Sequence, residues 1–171
     1  SEYAGEASDI VTKHAGFTIY AGGDDVMAFL PLHTLLECAQ ALAQSFRAKL
    51  AAYSSGEQDE MERVSPTLSM GIVIAHHLEP LSDALALAES AERTAKHLPG
   101  KDALAITTSK RSGADRTVAG RWVDGIGERI AFLVDRVANA IPETAAYELL
   151  RMQRNLAPEY ATEKERKEGG V

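Results

Sequence analysis

Two short stretches near the start of the chain are rich in residues that favour β-strands: Phe17 to Ala21 and Val26 to Leu30. Between them lie Gly22 to Asp25, and glycines permit the positive φ angles that a tight hairpin turn needs. Pro31 follows the second stretch and is expected to end it. The pattern predicts two antiparallel strands joined by a short turn.

Apolar residues at helical spacing predict helices on both sides of this hairpin. One helix covers residues 2–14 and is stopped by Gly16, and a second covers about residues 33–53. A third strand, residues 67–76, carries bulky residues on one face and small residues on the other. An amphipathic helix begins near Pro80, ends at a Pro-Gly pair, and leads to a fourth strand, "DALAITTS".

The order strand, strand, helix, strand, helix, strand predicts an α+β domain, with helices packed on one face of a mostly antiparallel sheet. The segment "KRSGADRTVAG" that follows is predicted to be a loop. Helical patterns near residues 123–140 and 142–155 predict a separate small helical region, and the polar end of the chain is too hydrophilic to bury much surface.

The composition is that of an ordinary globular protein. The chain has 171 residues, of which 45% are hydrophobic and 25% charged, and no apolar run is long enough to span a bilayer. The start of the chain lacks the features of a signal peptide, and the single cysteine, Cys38, cannot form an internal disulfide. We therefore expect a cytoplasmic protein without a membrane partner, in which Cys38 is a small core residue.

A net charge of −7 argues against the whole chain being an autonomous nucleic-acid binder. The charge is uneven, however, because residues 93–121 hold seven basic and two acidic side chains. The basic residues are Arg93, Lys96, Lys101, Lys110, Arg111, Arg116 and Arg121. This excess indicates either a solvated face or a site for a polyphosphate or RNA partner.

Two adjacent carboxylates, Asp24 and Asp25, occupy the predicted hairpin turn. Like charges side by side are costly unless a positive charge lies close to both. The turn "YAGGDDV" resembles the signature of nucleotide cyclases and palm-domain polymerases, in which such carboxylates hold divalent metals bound to a nucleoside triphosphate. A polar hairpin turn without catalysis is the alternative interpretation.

The downstream sequence extends this resemblance. "GGDDVMAFLPL", followed by "TLSMGIVIAHHLEPLSDALALAESAERTAKHLPGKDALAI", resembles the second palm domain of the large cyclase-like subunit of type III CRISPR effector complexes, most closely of subtype III-B. The resemblance covers Gly16 to Ser109, and the chain from Arg121 onward is similar to the helical C-terminal domain of that subunit. Ordinary diguanylate cyclases are less similar, because they have Glu and Phe where this chain has Asp25 and Val26.

The resemblance implies a ferredoxin-like nucleotidyl-cyclase palm over residues 1–118 and a helical C-terminal domain over residues 119–171. It also implies an antiviral nucleotidyltransferase that uses ATP with Mg²⁺ or Mn²⁺ and makes cyclic oligoadenylates when its complex holds a guide RNA paired with target RNA. In this family Asp24 and Asp25 would be the catalytic metal ligands. Gly22 and Gly23 would line the phosphates.

Three further residues are candidates for nucleotide contacts. Ser69 either touches ribose or base, or is small so that a helix can pack. Lys96 resembles the family's triphosphate-binding lysine, although a lysine in the last turn of a helix is also favoured by the helix macrodipole, and Lys101 is a second choice.

Two other positions invite a structural explanation. Adjacent residues of a strand point to opposite faces, so His76 and His77 are predicted not to chelate one metal ion, with one packed and the other exposed. Trp122 is predicted to pack the helical region onto the palm, with contact to RNA as the alternative.

In the family, a strand before the first helix supplies another acidic metal ligand, whereas this sequence starts inside the helix. The sequence is therefore expected to be a C-terminal fragment whose catalysis depends on the rest of its subunit and on other subunits of the effector complex. Two competing interpretations remain. One is a non-catalytic structural module of a CRISPR ribonucleoprotein, and the other is a dinucleotide cyclase that uses GTP.

Overall fold

A computed structural model describes residues 2–23, 25–51, 67–110, 113–142 and 144–153. These residues form α-helices, β-strands and one short 3₁₀ turn at Trp122–Asp124. In chain order the elements are α1 Glu2–Lys13, β1 Phe17–Gly22, β2 Asp25–Phe29, α2 Leu35–Ala51, β3 Met70–Ile74, α3 Leu81–His97, β4 Ala103–Thr108, β5 Arg116–Arg121, α4 Ile126–Asn139 and a helix α5 over residues 144–153. The elements predicted from the pattern are all present, with ends that differ by a few residues.

The predicted hairpin is formed by β1 and β2, which pair antiparallel. The strands are joined by two residues between the Gly22–Asp25 pair, and Gly23 has a φ of 63°. Such positive φ angles are typical of two-residue hairpin turns, because their twist matches that of the flanking strands. The turn chemistry predicted from the sequence is confirmed.

The second sheet has the strand order β3-β4-β5. β3 and β4 are parallel and connected through α3, whereas β4 and β5 are antiparallel. The prediction of a mostly antiparallel sheet is therefore wrong for β3 and β4. The loop prediction for "KRSGADRTVAG" is also wrong, because residues 116–120 of that segment lie in β5.

Tertiary pairing explains the presence of β5. Its residues include a glycine and two arginines, so local sequence favours a strand only weakly. In the structure the whole of β5 pairs with the buried strand β4, and the hydroxyls of Thr107 and Thr117 hydrogen-bond across the pair at 2.8 Å. The partner strand supplies the stabilisation that the local sequence lacks.

One hydrophobic cluster lies between α1 and α2. Its buried residues are Tyr3, Ala7, Val11, Cys38, Leu42 and Phe46, and apolar residues of both β2 and β3 pack against it. The rings of Tyr3 and Phe46 meet edge to face at 5.0 Å between centroids. The prediction of Cys38 as a core residue is confirmed, since it is fully buried and burial raises the pKa of its thiol to about 11.

A second cluster joins α3 to the opposite face of β3 and β4. Met70 packs towards α1 and α2, whereas the next residue, Gly71, lies against the backbone of α3. Small residues make up this second interface: Ala91 and Ala95 of α3 with Ala103 and Ala105 of β4. Helices therefore cover both faces of β3, and the expectation of helices on one face only is wrong.

β2 and β3 each have an unpaired edge within the described residues. β2 pairs with β1 alone and β3 with β4 alone, although both strands pack on the same cluster between α1 and α2. A sheet edge leaves backbone N–H and C=O groups without ladder partners. The two sheets thus share one helical layer without being joined to each other.

The chain divides into two compact units, residues 1–129 and 130–171. The predicted boundary after residue 118 falls within β5. In the second unit most of the described residues are helical, with exposed apolar side chains such as Phe132 and Tyr147. Among the described helices, none is long and apolar enough to cross a membrane.

Candidate functional site

The hairpin of β1 and β2 has one covered face and one open face. Val26 and Ala28 point inward to the cluster between α1 and α2. The opposite side, which we call the outer face of the hairpin, is formed by three cross-strand pairs: Phe17–Phe29, Tyr20–Met27 and Gly22–Asp25. All four large side chains of this face are exposed, with Phe17 at 70% and Tyr20 at 57%.

An irregularity in β1 decides which residues reach the outer face. The register shifts between Thr18 and Tyr20, so Ile19 is an extra residue in β1. Strict alternation would place Tyr20 with Thr18 on the face opposite Phe17. Because of this bulge, Tyr20 instead shares the outer face with Phe17 and with the Gly22–Asp25 pair. Sequence reasoning did not single out Tyr20, since no local signal marks the bulge.

Asp25 begins β2 at the hairpin turn, and its side chain is exposed. The other predicted metal ligand, Asp24, lies outside the described residues. Of the two glycines predicted to line phosphates, Gly22 pairs with Asp25, and Gly23 is exposed in the turn. The structure therefore brings Gly22, Gly23 and Asp25 together at one open end of the hairpin.

The donor chemistry at this turn fits a hard divalent cation. Carboxylate oxygens are the ligands that Mg²⁺ takes from proteins, usually one or two of them together with substrate phosphates and water. Asp25 offers such oxygens at an exposed position. Across the described residues, no group of three or more His, Cys, Asp or Glu side chains is arranged to hold a metal. A complete site would draw further oxygens from Asp24, from a ligand or from another segment.

Ser69 directly precedes β3, next to the face that packs against α3. Its hydroxyl oxygen is buried and has no hydrogen-bond partner in the described part of the chain. Lys96 lies in the last turn of α3, where its ammonium group forms an ion pair with Glu92 at 2.7 Å. The position of Ser69 is compatible with a nucleotide contact and with close helix packing. The position of Lys96 is compatible with a triphosphate contact and with a lysine favoured by the helix macrodipole.

The basic residues near α3 and β5 divide between two ends of the second sheet. Ala103 pairs with Arg121, so Lys101, Arg121 and the end of α3 lie at the end of the sheet where β4 begins. Arg116 pairs with Thr108 at the other end. At the end where β4 begins, Arg47 of α2 forms an ion pair with Asp102. The basic side chains in the described part of this region therefore do not form one continuous patch.

Trp122 is buried, and its indole ring lies 3.2 Å from where a Cβ of Gly127 would be. It packs against the first turn of α4, and its predicted role in holding the helical region on the palm stays a prediction. His76 and His77 follow the end of β3, and both are exposed, with ring centroids 4.3 Å apart. The expectation that one is packed is wrong, because the two residues lie beyond the strand and strand alternation does not apply to them.

An antiparallel hairpin with a Gly-Gly-Asp-Asp turn, carried on an α+β layer, defines a palm-type domain of the nucleotidyltransferase-like class. The family of the Cas10/Cmr2 second palm domain matches residues 1–105. The chain belongs to this family, and the predicted relationship to the large subunit of type III CRISPR effectors, closest to subtype III-B, is confirmed. The predicted fold class, a ferredoxin-like palm followed by a helical part, is confirmed with it.

Curated relatives give the same result. The chain is similar to the CRISPR system Cmr subunit Cmr2 of Pyrococcus furiosus, with 34% identity over 164 residues that cover 84% of this chain. It is also similar to the Cmr2 subunit of Saccharolobus solfataricus, with 33% identity over 88 residues and 43% of this chain. The matched regions span 18% and 8% of these relatives, so the chain corresponds to a small part of each.

Proposed function

We propose that this chain is the ATP-using part of a type III CRISPR effector subunit that synthesises cyclic oligoadenylates when the assembled complex binds target RNA. The observation that carries the proposal is the position of Asp25, which is exposed on the open outer face of the hairpin and opposite Gly22. Membership of the Cas10/Cmr2 palm family supports the same activity.

The residues of the turn have separate tasks in this proposal. Asp24 and Asp25 would hold Mg²⁺ or Mn²⁺, which supplies charge neutralisation at the α-phosphate and a more acidic 3′-hydroxyl. Gly23 lets the phosphates approach the turn backbone because it carries no side chain, and Gly22 leaves room on the open face above its Cα for the groups that meet the phosphates. Positioning and electrostatics are sufficient for phosphoryl transfer, so no side-chain nucleophile is required.

Catalysis by this palm depends on further parts of its subunit. The unpaired edges of β2 and β3 lie over one hydrophobic cluster, which is an arrangement that an additional strand could bridge. In the family such a strand carries a further acidic metal ligand, which would complement Asp25. We therefore place the active form in the complete subunit, bound to other Cmr-type subunits and to guide and target RNA in the cytoplasm.

The test uses the complete effector complex with guide and target RNA, labelled ATP and Mn²⁺, and chromatography of the products. We expect cyclic oligoadenylates from the wild-type complex and none when Asp24→Ala and Asp25→Ala are combined. Asp9→Ala, at an exposed aspartate of α1, is the matched control and should retain full synthesis. Labelled GTP is tested in parallel.

The possible outcomes separate the alternatives. Product from GTP rather than ATP would identify a guanine-nucleotide cyclase. An absence of product from either nucleotide, despite bound target RNA, would identify a non-catalytic structural module of the ribonucleoprotein. Undiminished synthesis by the double variant would show that the hairpin carboxylates do not hold the catalytic metal.

A further inference from the structure

The side chain of Tyr20 extends along β1 towards the hairpin turn and lies over Gly22. A Cβ atom placed on Gly22 would overlap with the phenolic oxygen of Tyr20 and would lie 2.7 Å from its Cζ. The phenol can take this position only because residue 22 has no side chain. Tyr20 nevertheless remains 57% exposed, so the contact with Gly22 does not bury the ring.

This contact brings the Tyr20 hydroxyl close to the carboxylate end of the hairpin. Gly22 is the cross-strand partner of Asp25. The Cα atoms of such antiparallel partners are about 4.5–5.5 Å apart. The phenolic oxygen above Gly22 therefore lies on the same open face as Asp25, beside its cross-strand partner.

The position of the hydroxyl has a chemical consequence. Carboxylates only accept hydrogen bonds and repel phosphate, whereas a phenol donates an O–H without adding charge. Hydrogen bonds to charged acceptors are stronger than those between neutral groups. A ligand that brings phosphate oxygens to a metal at Asp25 would meet the Tyr20 hydroxyl beside Gly22.

We propose that Tyr20 is a nucleotide-binding residue whose hydroxyl donates a hydrogen bond to a phosphate oxygen of the nucleotide held through metal at Asp25. This inference rests on the proposed function and adds to it a residue, an atom and a ligand group. The bulge at Ile19 makes this arrangement possible, because it turns the Tyr20 side chain onto the face that carries Asp25.

The test measures binding of Mg²⁺-ATP and of Mg²⁺-tripolyphosphate to the complete subunit in its complex, by competition against labelled ATP. Tyr20→Phe keeps the ring and removes only the hydroxyl. We expect it to weaken the binding of both ligands by about tenfold or more, as for the loss of a hydrogen bond to a charged group. Tyr147→Phe, at a tyrosine that is 73% exposed on α5, is the matched control and should leave both affinities unchanged.

Two further measurements separate this role from a structural one and from a failure of the proposed function. The thermal unfolding midpoint of Tyr20→Phe should equal that of the wild type. Asp25→Asn should abolish binding of both ligands. If Asp25→Asn binds them normally, or if the wild type binds neither, the proposed function fails and this inference fails with it.

If Asp25→Asn abolishes binding while Tyr20→Phe binds both ligands as tightly as the wild type, only the role of Tyr20 is overturned. Weaker ATP binding by Tyr20→Phe with unchanged tripolyphosphate binding would also overturn it, because the hydroxyl would then not contact phosphate.

Discussion

Gly71 of β3 packs directly on the backbone of α3 at Glu92. A Cβ atom on Gly71 would lie 2.7 Å from the Cα of Glu92 and 2.5 Å from the carbonyl oxygen of Ala88. Real Cβ atoms do not come this close to backbone, and a helix backbone cannot yield as a flexible side chain can. The absence of a side chain at position 71 therefore sets how closely α3 approaches the sheet.

We expect Gly71→Ala to destabilise the protein by about 1–3 kcal/mol, as is typical of overpacking in a tight interface. Urea unfolding followed by the fluorescence of Trp122, the only tryptophan in the chain, would measure this loss. Gly5→Ala on α1 is the control, because nothing lies within 4 Å of its Cβ position. It should raise stability by up to about 1 kcal/mol through helix propensity. Equal effects of the two substitutions would contradict the close packing of α3.

Leu104 of β4 is the largest fully buried side chain among the residues that the structure describes. Leu104→Ala should lower the free energy of unfolding by about 2–5 kcal/mol, because it leaves a cavity in a fully covered strand. Val118→Ala in the neighbouring strand β5 should cost much less, since Val118 is 56% exposed. Comparable losses for both variants in the same urea experiment would show that β4 is not the buried strand.

The Glu6 carboxylate of α1 is hydrogen-bonded by Lys49 and Ser45 of α2. The bond from Lys49, and then that from Ser45, lowers the pKa of Glu6 below its usual range. Because the folded-state pKa is lowered, the stabilisation is present above the ordinary glutamate pKa of about 4.3 and is lost as the pH falls through the folded value.

We therefore expect wild type to be more stable than Glu6→Gln at pH 7, with the difference shrinking towards pH 3. Urea midpoints at several pH values measure it. Glu89→Gln, at an exposed position of α3, is the control and should differ from wild type by much less. A stability difference between wild type and Glu6→Gln that does not change with pH would argue against the bonds from Lys49 and Ser45 to the Glu6 carboxylate.

The Cys38 thiol should be inert in the folded protein. Its burial raises the pKa to about 11, so the reactive thiolate is scarce at neutral pH and the sulfur is also shielded. Ellman's reagent at pH 8 should modify Cys38 slowly in buffer and rapidly in urea. Equal rates in the two conditions would contradict the buried position.

The unpaired edges of β2 and β3 can be examined by amide hydrogen exchange. Amides of these strands that do not bond to β1 or β4 should exchange rapidly in the chain by itself, since they have no ladder partner among the described residues. In the complete subunit we expect them to become protected, while the amides of β4 remain protected in both. Unchanged exchange at β2 and β3 would contradict completion of the sheet by another segment.

The locally encoded parts of this fold were accessible from the sequence. The hairpin turn follows from Gly22 and Gly23 between strand-forming residues, and the helices follow from apolar periodicity. The burial of Cys38 follows from the same helical pattern. Each of these properties depends on residues within a few positions of one another, so a single sequence contains the necessary information.

The pairing of distant strands was less accessible. β5 was predicted to be a loop because "RTVAG" has little strand character of its own, and it becomes a strand only by pairing with β4. The coverage of β3 on both faces also depends on α3, which lies against Gly71. The small residues on one face of the strand indicated that a helix packs there, but they did not identify which helix. Such contacts join residues far apart in the chain, and their geometry is set by packing.

The sequence by itself determined the element types, the carboxylate turn at Asp24 and Asp25, and the relationship to the Cas10/Cmr2 palm family. Only the tertiary structure decided which side chains share a face with that turn. The extra residue at Ile19 reverses the alternation of β1 and places Tyr20 beside Gly22 and Asp25. The physical reason is that strand side chains alternate with a period of two, so one bulged residue exchanges the covered and open faces, and the pairing of the two strands determines where that residue falls.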